Sequence, residues 1–326
     1  MSSAAQDDYQ KKIGDLFKRL DLQTFVVNLH PRITFLCGGP IQGSDTAFPS
    51  SLRERILNHL NEHHDDIEKN TVVAESFSDY FQNGQYKNLL QFEEDIANIA
   101  SLIVVCLESA GSLVEFGLFC NHPSSSTKLL VYIPEDHYEE VNSFITLGPL
   151  AQLQSTAVNS VASYPFPDSQ RYQYEHIDMV VDDLLSRLDN SPKTERFDIN
   201  NSGHLAFLIH DVISLCAPIK KQEIAMSLSY MGINCVSDKR LSSLLYLLSK
   251  VKLIGKKTYS YVDYFYPLSL SLQKVTIGKF NDSSNFDRNA KLAEIKMTFM
   301  MNPDKQEQTL KKRRLVWTKI TESLGE

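Results

Sequence analysis

This 326-residue sequence is short of the features that mark membrane, exported and metal-bound proteins. It contains no apolar run of about 18 residues or more, so no membrane span is expected. Its N-terminus shows no signal-peptide pattern, so export is not expected either. Cysteine is scarce. Cys37, Cys106, Cys120, Cys216 and Cys235 are odd in number, lie mostly in apolar segments and form no CxxC pair, which argues against a disulfide framework and against a zinc site. His59, His63 and His64 cluster in a charged stretch without carboxylates or cysteines at ligand spacing, so solvation is expected there and no metal. A cytoplasmic protein without a membrane partner is the resulting expectation.

What is present is ordinary in amount and uneven in distribution. Apolar residues make up 42% and charged residues 22%, values typical of a soluble chain large enough for two cores. The formal net charge of -7 hides a split. Residues 1–195 hold 13 Lys and Arg against 28 Asp and Glu, net -15; residues 196–326 hold 20 against 12, net +8. Two modules with different partners are expected, and the basic half is the candidate for nucleic-acid contact. A solvated mixed-charge surface would give the same count.

The chain is organised around Ser101 to Gly117. Leu102 to Leu107 is an unbroken apolar run suited to a strand buried on both faces of a parallel sheet. The turn from Glu108 to Ser112 follows, with Ser112 as the expected cap of a helix that begins at Leu113. Glu115 then falls in the first turn and points to the carboxyl ends of the strands, where open α/β sheets bind ligands. It could equally do no more than complement the helix dipole. Gly111 would let a ligand approach the backbone, and Gly117 would let the helix pack on the sheet.

The surrounding pattern alternates. Gln10–Leu20 reads as a short amphipathic helix. Ile33–Cys37 is a strand, and Gly38-Gly39-Pro40 after it suits either a backbone against a phosphate or sugar, or a plain tight turn. Helix Ser50–His63, strand Thr71–Phe77 and helix Tyr86–Ala100 follow, the last with a stripe of Leu89, Phe92, Ile96 and Ile99 and with Asp95 off it. Strands Lys128–Ile133 and Val158–Tyr164 and helix Gln173–Leu188 complete the alternation. The predicted fold class is α/β, a doubly wound parallel sheet over residues 1–190. Asn190-Ser191-Pro192-Lys193 reads as a linker.

The basic half has a different pattern. Ser202–Cys216, Pro218–Tyr230 and Lys239–Val251 read as three helices. Gly255-Lys256-Lys257 and the aromatic run Tyr259–Tyr266 read as a basic-tipped hairpin. That layout predicts a winged-helix domain over 196–280, with Lys239, Arg240, Lys256 and Lys257 as phosphate contacts. Winged helices also dock proteins, so both partners stay open. Lys291–Leu324 looks helical around a break at Asn302-Pro303, forming a C-terminal extension over 281–326. Its Lys311-Lys312-Arg313-Arg314 run beside Trp317 is a further candidate contact, although basic runs are commonly just solvated.

Three pieces carry a resemblance: Ile33-Thr34-Phe35-Leu36-Cys37-Gly38-Gly39-Pro40, Asp95-Ile96-Ala97-Asn98-Ile99 and Gly111-Ser112-Leu113-Val114-Glu115-Phe116-Gly117. Together they resemble the nucleoside 2-deoxyribosyltransferases. The resemblance implies that Glu115 is the nucleophile at the anomeric carbon and that Asp95 holds or protonates the base. It also implies a substrate site formed by Cys37, Gly38, Gly39, Pro40, Ser109, Gly111 and Ser112, with no cofactor. Ser109 stands where that family usually has an Asp that assists base handling, which puts base exchange in doubt. Nicotinamide leaves NAD as a neutral molecule without needing a proton, so NAD cleavage survives this departure.

The pairing of such a domain with a winged helix, and the run Glu108 to Glu115, resemble the effector toxins encoded beside retron reverse transcriptases. That resemblance implies an anti-phage N-glycosidase acting on NAD or related nucleotides. It also implies restraint by the reverse transcriptase with its RNA–DNA hybrid product, msDNA, and a homo-oligomer. The alternatives are a nucleoside transferase or hydrolase of salvage, and a nucleotide-sensing DNA-binding regulator.

Overall fold

The computed structural model describes residues 7–42, 48–73, 86, 89–140, 142–301 and 308–325. In chain order the elements are α1 (Asp8–Phe17), β1 (Val26–Asn28), β2 (Thr34–Cys37), α2 (Leu52–His63), α3 (Asp65–Glu68), β3 (Thr71–Val72), α4 (Leu89–Ile99) and β4 (Leu102–Cys106). Next come α5 (Ala110–Cys120), α6 (Pro123–Ser126), β5 (Leu129–Pro134), α7 (Glu135–Glu139), α8 (Ala151–Thr156), β6 (Val161–Tyr164) and α9 (Ile177–Asp189). The remainder is β7 (Thr194–Arg196), α10 (Ser202–Cys216), β8 (Ile219–Lys220), α11 (Lys221–Tyr230), α12 (Asp238–Lys250), β9 (Ile254–Tyr259), β10 (Val262–Pro267), β11 (Val275–Thr276), α13 (Arg288–Met300) and α14 (Gln308–Leu324).

These elements form two compact units, one from residues 29–80 and 88–193 and the other from 1–28, 81–87 and 194–326. Residues 1–28, expected with the domain at 1–190, belong to the second unit. The cause is long-range: β1 pairs antiparallel with both β7 and β11, and α1 packs on α11 and α13. Residues 196–280 and 281–326, expected apart, share that unit because α13 packs on α10.

The first unit is an α/β layer structure. Its five strands are parallel and run in the order β3-β2-β4-β5-β6. The first strand of the sheet, β2, thus lies between the second and third, so chain order reverses at β2 and β4. Ligands of open α/β sheets bind outside the strand ends at such a reversal. One face of the sheet packs Leu36, Leu102, Val104, Cys106, Leu130 and Tyr132 against Leu52, Ile56 and Leu60 of α2 and Val180, Val181, Leu184 and Leu188 of α9. Each such fully buried aliphatic side chain contributes about 1.5–3 kcal/mol. The alternate residues face the other way, and Phe35 meets Phe119 of α5 edge-on with ring centroids 6.0 Å apart. Both faces are covered, which is why the strands are unbroken apolar runs. Of the strand expected over Thr71–Phe77, Thr71–Val72 is strand, and residues 74–77 lie outside the described residues.

In the second unit, α10, α11 and α12 precede the hairpin β9–β10, and β8 joins it in a three-stranded antiparallel sheet ordered β8-β10-β9. The hairpin differs from the expectation in one respect. Lys256 and Lys257 lie within β9, opposite Phe265 and Tyr264, and the turn is made by Ser260 and Tyr261 at φ 49° and 62°. Tyr261 is fully exposed there. The basic run near the C-terminus also differs. Arg313 of α14 is 1% exposed, ion-paired to Glu223, hydrogen-bonded to the Pro218 carbonyl and stacked 3.5 Å from the centroid of the Tyr9 ring. It is a core residue and not a surface contact. The expected break at Asn302-Pro303 lies outside the described residues. Among the described residues, no helix is long and apolar enough to cross a membrane.

Candidate functional site

The carboxyl ends of β2 and β4 carry two short loops that hold one another in place. The residue doing this is Glu108, to which the sequence reading gave no role. Its carboxylate accepts hydrogen bonds from the backbone N–H groups of Gly39 at 2.8 Å, Leu52 at 2.8 Å and Arg53 at 3.1 Å. The last two are orphan donors of the first turn of α2, and a carboxylate there also complements the helix dipole. Glycine at 38 and 39 follows from this packing. A Cβ at Gly38 would stand 2.9 Å from Glu108 Oε1, and one at Gly39 would stand 2.9 Å from Glu108 Cγ and Cδ. The glycine turn is thus shaped by an internal side chain. Pro40 is exposed, and its carbonyl accepts from Ser50 Oγ at 3.0 Å and Ser51 Oγ at 2.8 Å.

Helix α5 begins one turn earlier than expected. Ser109, not Ser112, is its N-cap, and its hydroxyl accepts from the Ser112 N–H at 3.1 Å. Ser112 reciprocates, accepting from the N–H groups of Ser109 at 3.1 Å and Glu108 at 3.2 Å, and is fully buried. Ser109 Oγ also lies 3.3 Å from the Gly38 carbonyl oxygen. A Ser-x-x-Ser pair can form a capping box as Ser-x-x-Glu does, and the first serine is then the cap. Both hydroxyls are taken up by this arrangement. Gly111 is exposed in the first turn, with its open side free of neighbours nearer than Ser109 Oγ at 3.7 Å. The role expected of Gly117 fails: a Cβ there would meet nothing within 4 Å, so close packing on the sheet does not require glycine.

Glu115 therefore sits in the second turn of α5 and is half-buried. Its charge bears on two buried groups, Cys37 at the end of β2 and Glu93 on α4. Burial, then Glu115, then Glu93 push the Cys37 thiol well up, against a lowering by Arg53. Burial first and Glu115 second raise the Glu93 carboxyl to about 7. Glu93 is 5% exposed and was missed, because a Glu in an amphipathic helix reads as solvated. Asp95, placed off the apolar stripe, is also buried at 2% exposure. It lies two residues from Glu93, about 200° round the helix.

The structure thus joins Gly38, Gly39, Ser109 and Ser112 through hydrogen bonds and packing, and Glu115 with Cys37 through charge. Lys239, Arg240, Lys256 and Lys257 lie in the other unit. Lys239 and Arg240 occupy the first turn of α12, and Lys256 is paired with Asp263 at 3.2 Å. Among the described residues, no group of three or more His, Cys, Asp or Glu side chains could hold a metal ion.

The family described as STM3845 retron effector protein matches residues 49–256. A retron Ec73 protein of Escherichia coli is 25% identical over 268 residues, spanning 75% of this chain and 82% of that protein. A retron Ec86 protein of the same organism is 30% identical over 157 residues, 48% of this chain and 47% of that protein. The names of both propose a ribosyltransferase and DNA-binding protein.

Proposed function

The chain belongs to the STM3845 retron effector family, and we propose that it acts as an N-glycosidase cleaving the ribosyl–nicotinamide bond of NAD. The observation that carries this reading is the position of Glu115. It is a half-buried carboxylate on the helix after β4, beside the sheet's order reversal, with a second carboxyl and a thiol as its charge neighbours. The Glu115 carboxylate attacks C1′ of the ribosyl group. The C1′–N bond breaks with its electron pair on nicotinamide, which leaves neutral. Charge on Glu115 stabilises the cationic character that develops at C1′. Water then releases ADP-ribose. Asp95 positions the base, and the loops at Gly38–Pro40 and Ser109–Ser112 line the ribosyl side.

The second unit is read as a winged helix, from α10, β8, α11, α12 and the β9–β10 hairpin in that order. Its Lys239, Arg240, Lys256 and Lys257 are the proposed contacts to the reverse transcriptase and its msDNA, which would restrain the toxin in the cytoplasm. A homo-oligomer is part of the same proposal. The test is purified chain with NAD, with nicotinamide and ADP-ribose followed by mass spectrometry. Glu115→Gln should lower nicotinamide release by roughly 10²–10⁴-fold with folding retained. Wild-type release by this variant would refute the nucleophile assignment.

A further inference from the structure

Arg55, on the first turn of α2, is buried, and its guanidinium is taken up by backbone. Nη1 donates to the Tyr172 carbonyl. Nη2 donates to the carbonyls of Pro49 and Asp168, each at 3.1 Å, and to that of Arg171. Three of these four acceptors belong to one loop, residues 165–176, between β6 and α9. The loop is also closed on itself. The Tyr174 hydroxyl donates to the Pro165 carbonyl at 2.7 Å, and Asp168 Oδ1 accepts from the Gln170 N–H at 2.9 Å. Compact loops with pinned ends of this kind frequently carry function. With its carbonyls turned in to Arg55, the loop presents the side chain of Arg171 outward, 80% exposed. Its partner there is the Asp168 carboxylate at 3.6 Å, an exposed pair of little strength. The loop leaves the carboxyl end of β6 and is fastened to the same turn of α2 that donates to Glu108, just past β4. One set of hydrogen bonds thus runs from the α5 cap through Glu108 and α2 to the loop.

We propose that Arg171 binds the phosphates of the substrate, remote from the scissile bond, and that Arg55 is the positioning residue that holds its loop there. This rests on the reading of the chain as an NAD glycosidase, and it gives a partner to the pyrophosphate. The elements around the ends of β2 and β4 carry Glu54, Glu93, Glu108 and Glu115. A doubly charged pyrophosphate is repelled by such surroundings unless a cation receives it. Arg55 is committed to carbonyls, whereas the Arg171 guanidinium is open to solvent beside the same turn of α2. A guanidinium meets a phosphate through two parallel N–H···O bonds, and one presented on a fastened loop loses less freedom in doing so. No bond is made or broken at Arg171. The contact supplies affinity and selects a dinucleotide over a nucleoside.

The experiment compares wild type, Arg171→Ala, Arg55→Ala and the double variant as full-length chains. The substrates are NAD and nicotinamide riboside, which has the same scissile bond and no phosphate. Arg171→Ala should raise KM for NAD by roughly 10–100-fold, with a smaller effect on kcat. The ratio of kcat/KM for NAD to that for the riboside should fall by a similar factor. Arg55→Ala should lose the same selectivity, and the double variant should lose no more than either single one, since both act through one contact. If Arg55→Ala does not fold, Arg55→Lys serves: an ammonium lacks the planar fork that reaches four carbonyls, so selectivity should still fall. Titration calorimetry with ADP-ribose reads the same contact without turnover, and Arg171→Ala should bind it roughly 10–100-fold more weakly. An unchanged selectivity ratio and unchanged ADP-ribose affinity in Arg171→Ala would overturn the inference while leaving the glycosidase reading standing. Additive losses in the double variant would overturn the role of Arg55. A wild-type chain that binds ADP-ribose through Arg171 but releases no nicotinamide would refute the glycosidase reading and support the phosphate contact.

Discussion

Replacing Glu108 should separate the frame of the site from its chemistry. Its carboxylate satisfies three backbone donors, on Gly39, Leu52 and Arg53, all of them buried residues. Glu108→Ala leaves the three donors facing a gap the size of a carboxymethyl group. An unmet buried donor costs about 1–3 kcal/mol. Water entering the gap offsets part of that, so a net loss of roughly 3–5 kcal/mol is expected. For a unit of this size that corresponds to a fall in melting midpoint of roughly 10 °C. Glu108→Gln is the sharper probe. Its oxygen can keep Gly39 and Arg53, but its NH₂ then meets the Leu52 N–H donor to donor. About half of the alanine effect should remain. Thermal melts followed by circular dichroism measure the stability, and amide hydrogen exchange at Gly39, Leu52 and Arg53 localises it. A melting point for Glu108→Ala within about 2 °C of wild type, or protection unchanged at those three amides, would refute the account.

Other consequences are as specific. Asp95→Asn should slow NAD cleavage by less than Glu115→Gln does, because it positions and does not attack; equal losses in steady-state assays would refute that ranking. Gly117→Ala should leave stability unchanged or raise it by up to about 1 kcal/mol, since no atom opposes the added methyl and alanine favours helix; a lower urea midpoint would contradict this. Glu223→Ala should destabilise the second unit by about 3–5 kcal/mol by leaving Arg313 buried without its partner, measurable by denaturant unfolding. Lys274 is fully buried against the Phe207 ring, and burial lowers its ammonium to about 7, against a raising by Asp211. The unfolded chain therefore binds the extra proton between about 7 and 10.5, so this residue's contribution to stability improves as pH rises through that window. Lys274→Met should be the more stable by about 2 kcal/mol at pH 7, with the gap closing toward pH 10, and a gap that widens would refute the sign.

The α/β layer was legible because buried parallel strands leave long apolar runs. Leu102–Cys106 and Leu129–Pro134 were placed within a residue or two, as was α10. The short strands β1, β7 and β11 were not legible. Each is two or three residues long, and their pairing joins positions far apart in the chain. That long-range pairing also moves residues 1–28 into the second unit. The position of the α5 cap was misjudged because Ser109 and Ser112 suit the N-cap equally by composition, and only the backbone at Ser109, with φ -147° and ψ 160°, decides between them. Arg313 was read as part of a basic run, since sequence does not show that Glu223 and Tyr9 close round it. At the candidate site, Glu115 was visible through its motif. Glu93 and Glu108 were not, because burial of a carboxylate leaves no mark on local spacing.

Four glutamates, two buried and two half-buried, lie on the elements that adjoin the ends of β2 and β4, and their partners sort them. Glu54 accepts from the N–H groups of Gln42 at 3.0 Å and Ser50 at 2.7 Å, which ties the loop before α2 to that helix. Glu108 accepts from three more. Both carboxylates are held by fixed backbone donors and would lose those hydrogen bonds by engaging a substrate. Glu93 is different: burial first and the charge of Glu115 second raise its carboxyl to about 7. In the proposed reaction, cationic character at C1′ would be favoured by the charge of Glu115. The two acids bound to backbone therefore form the rigid edge, and the proposed reaction would draw on Glu115 beside it. Gly38 and Gly39 belong to the first pair, as the space that Glu108 needs.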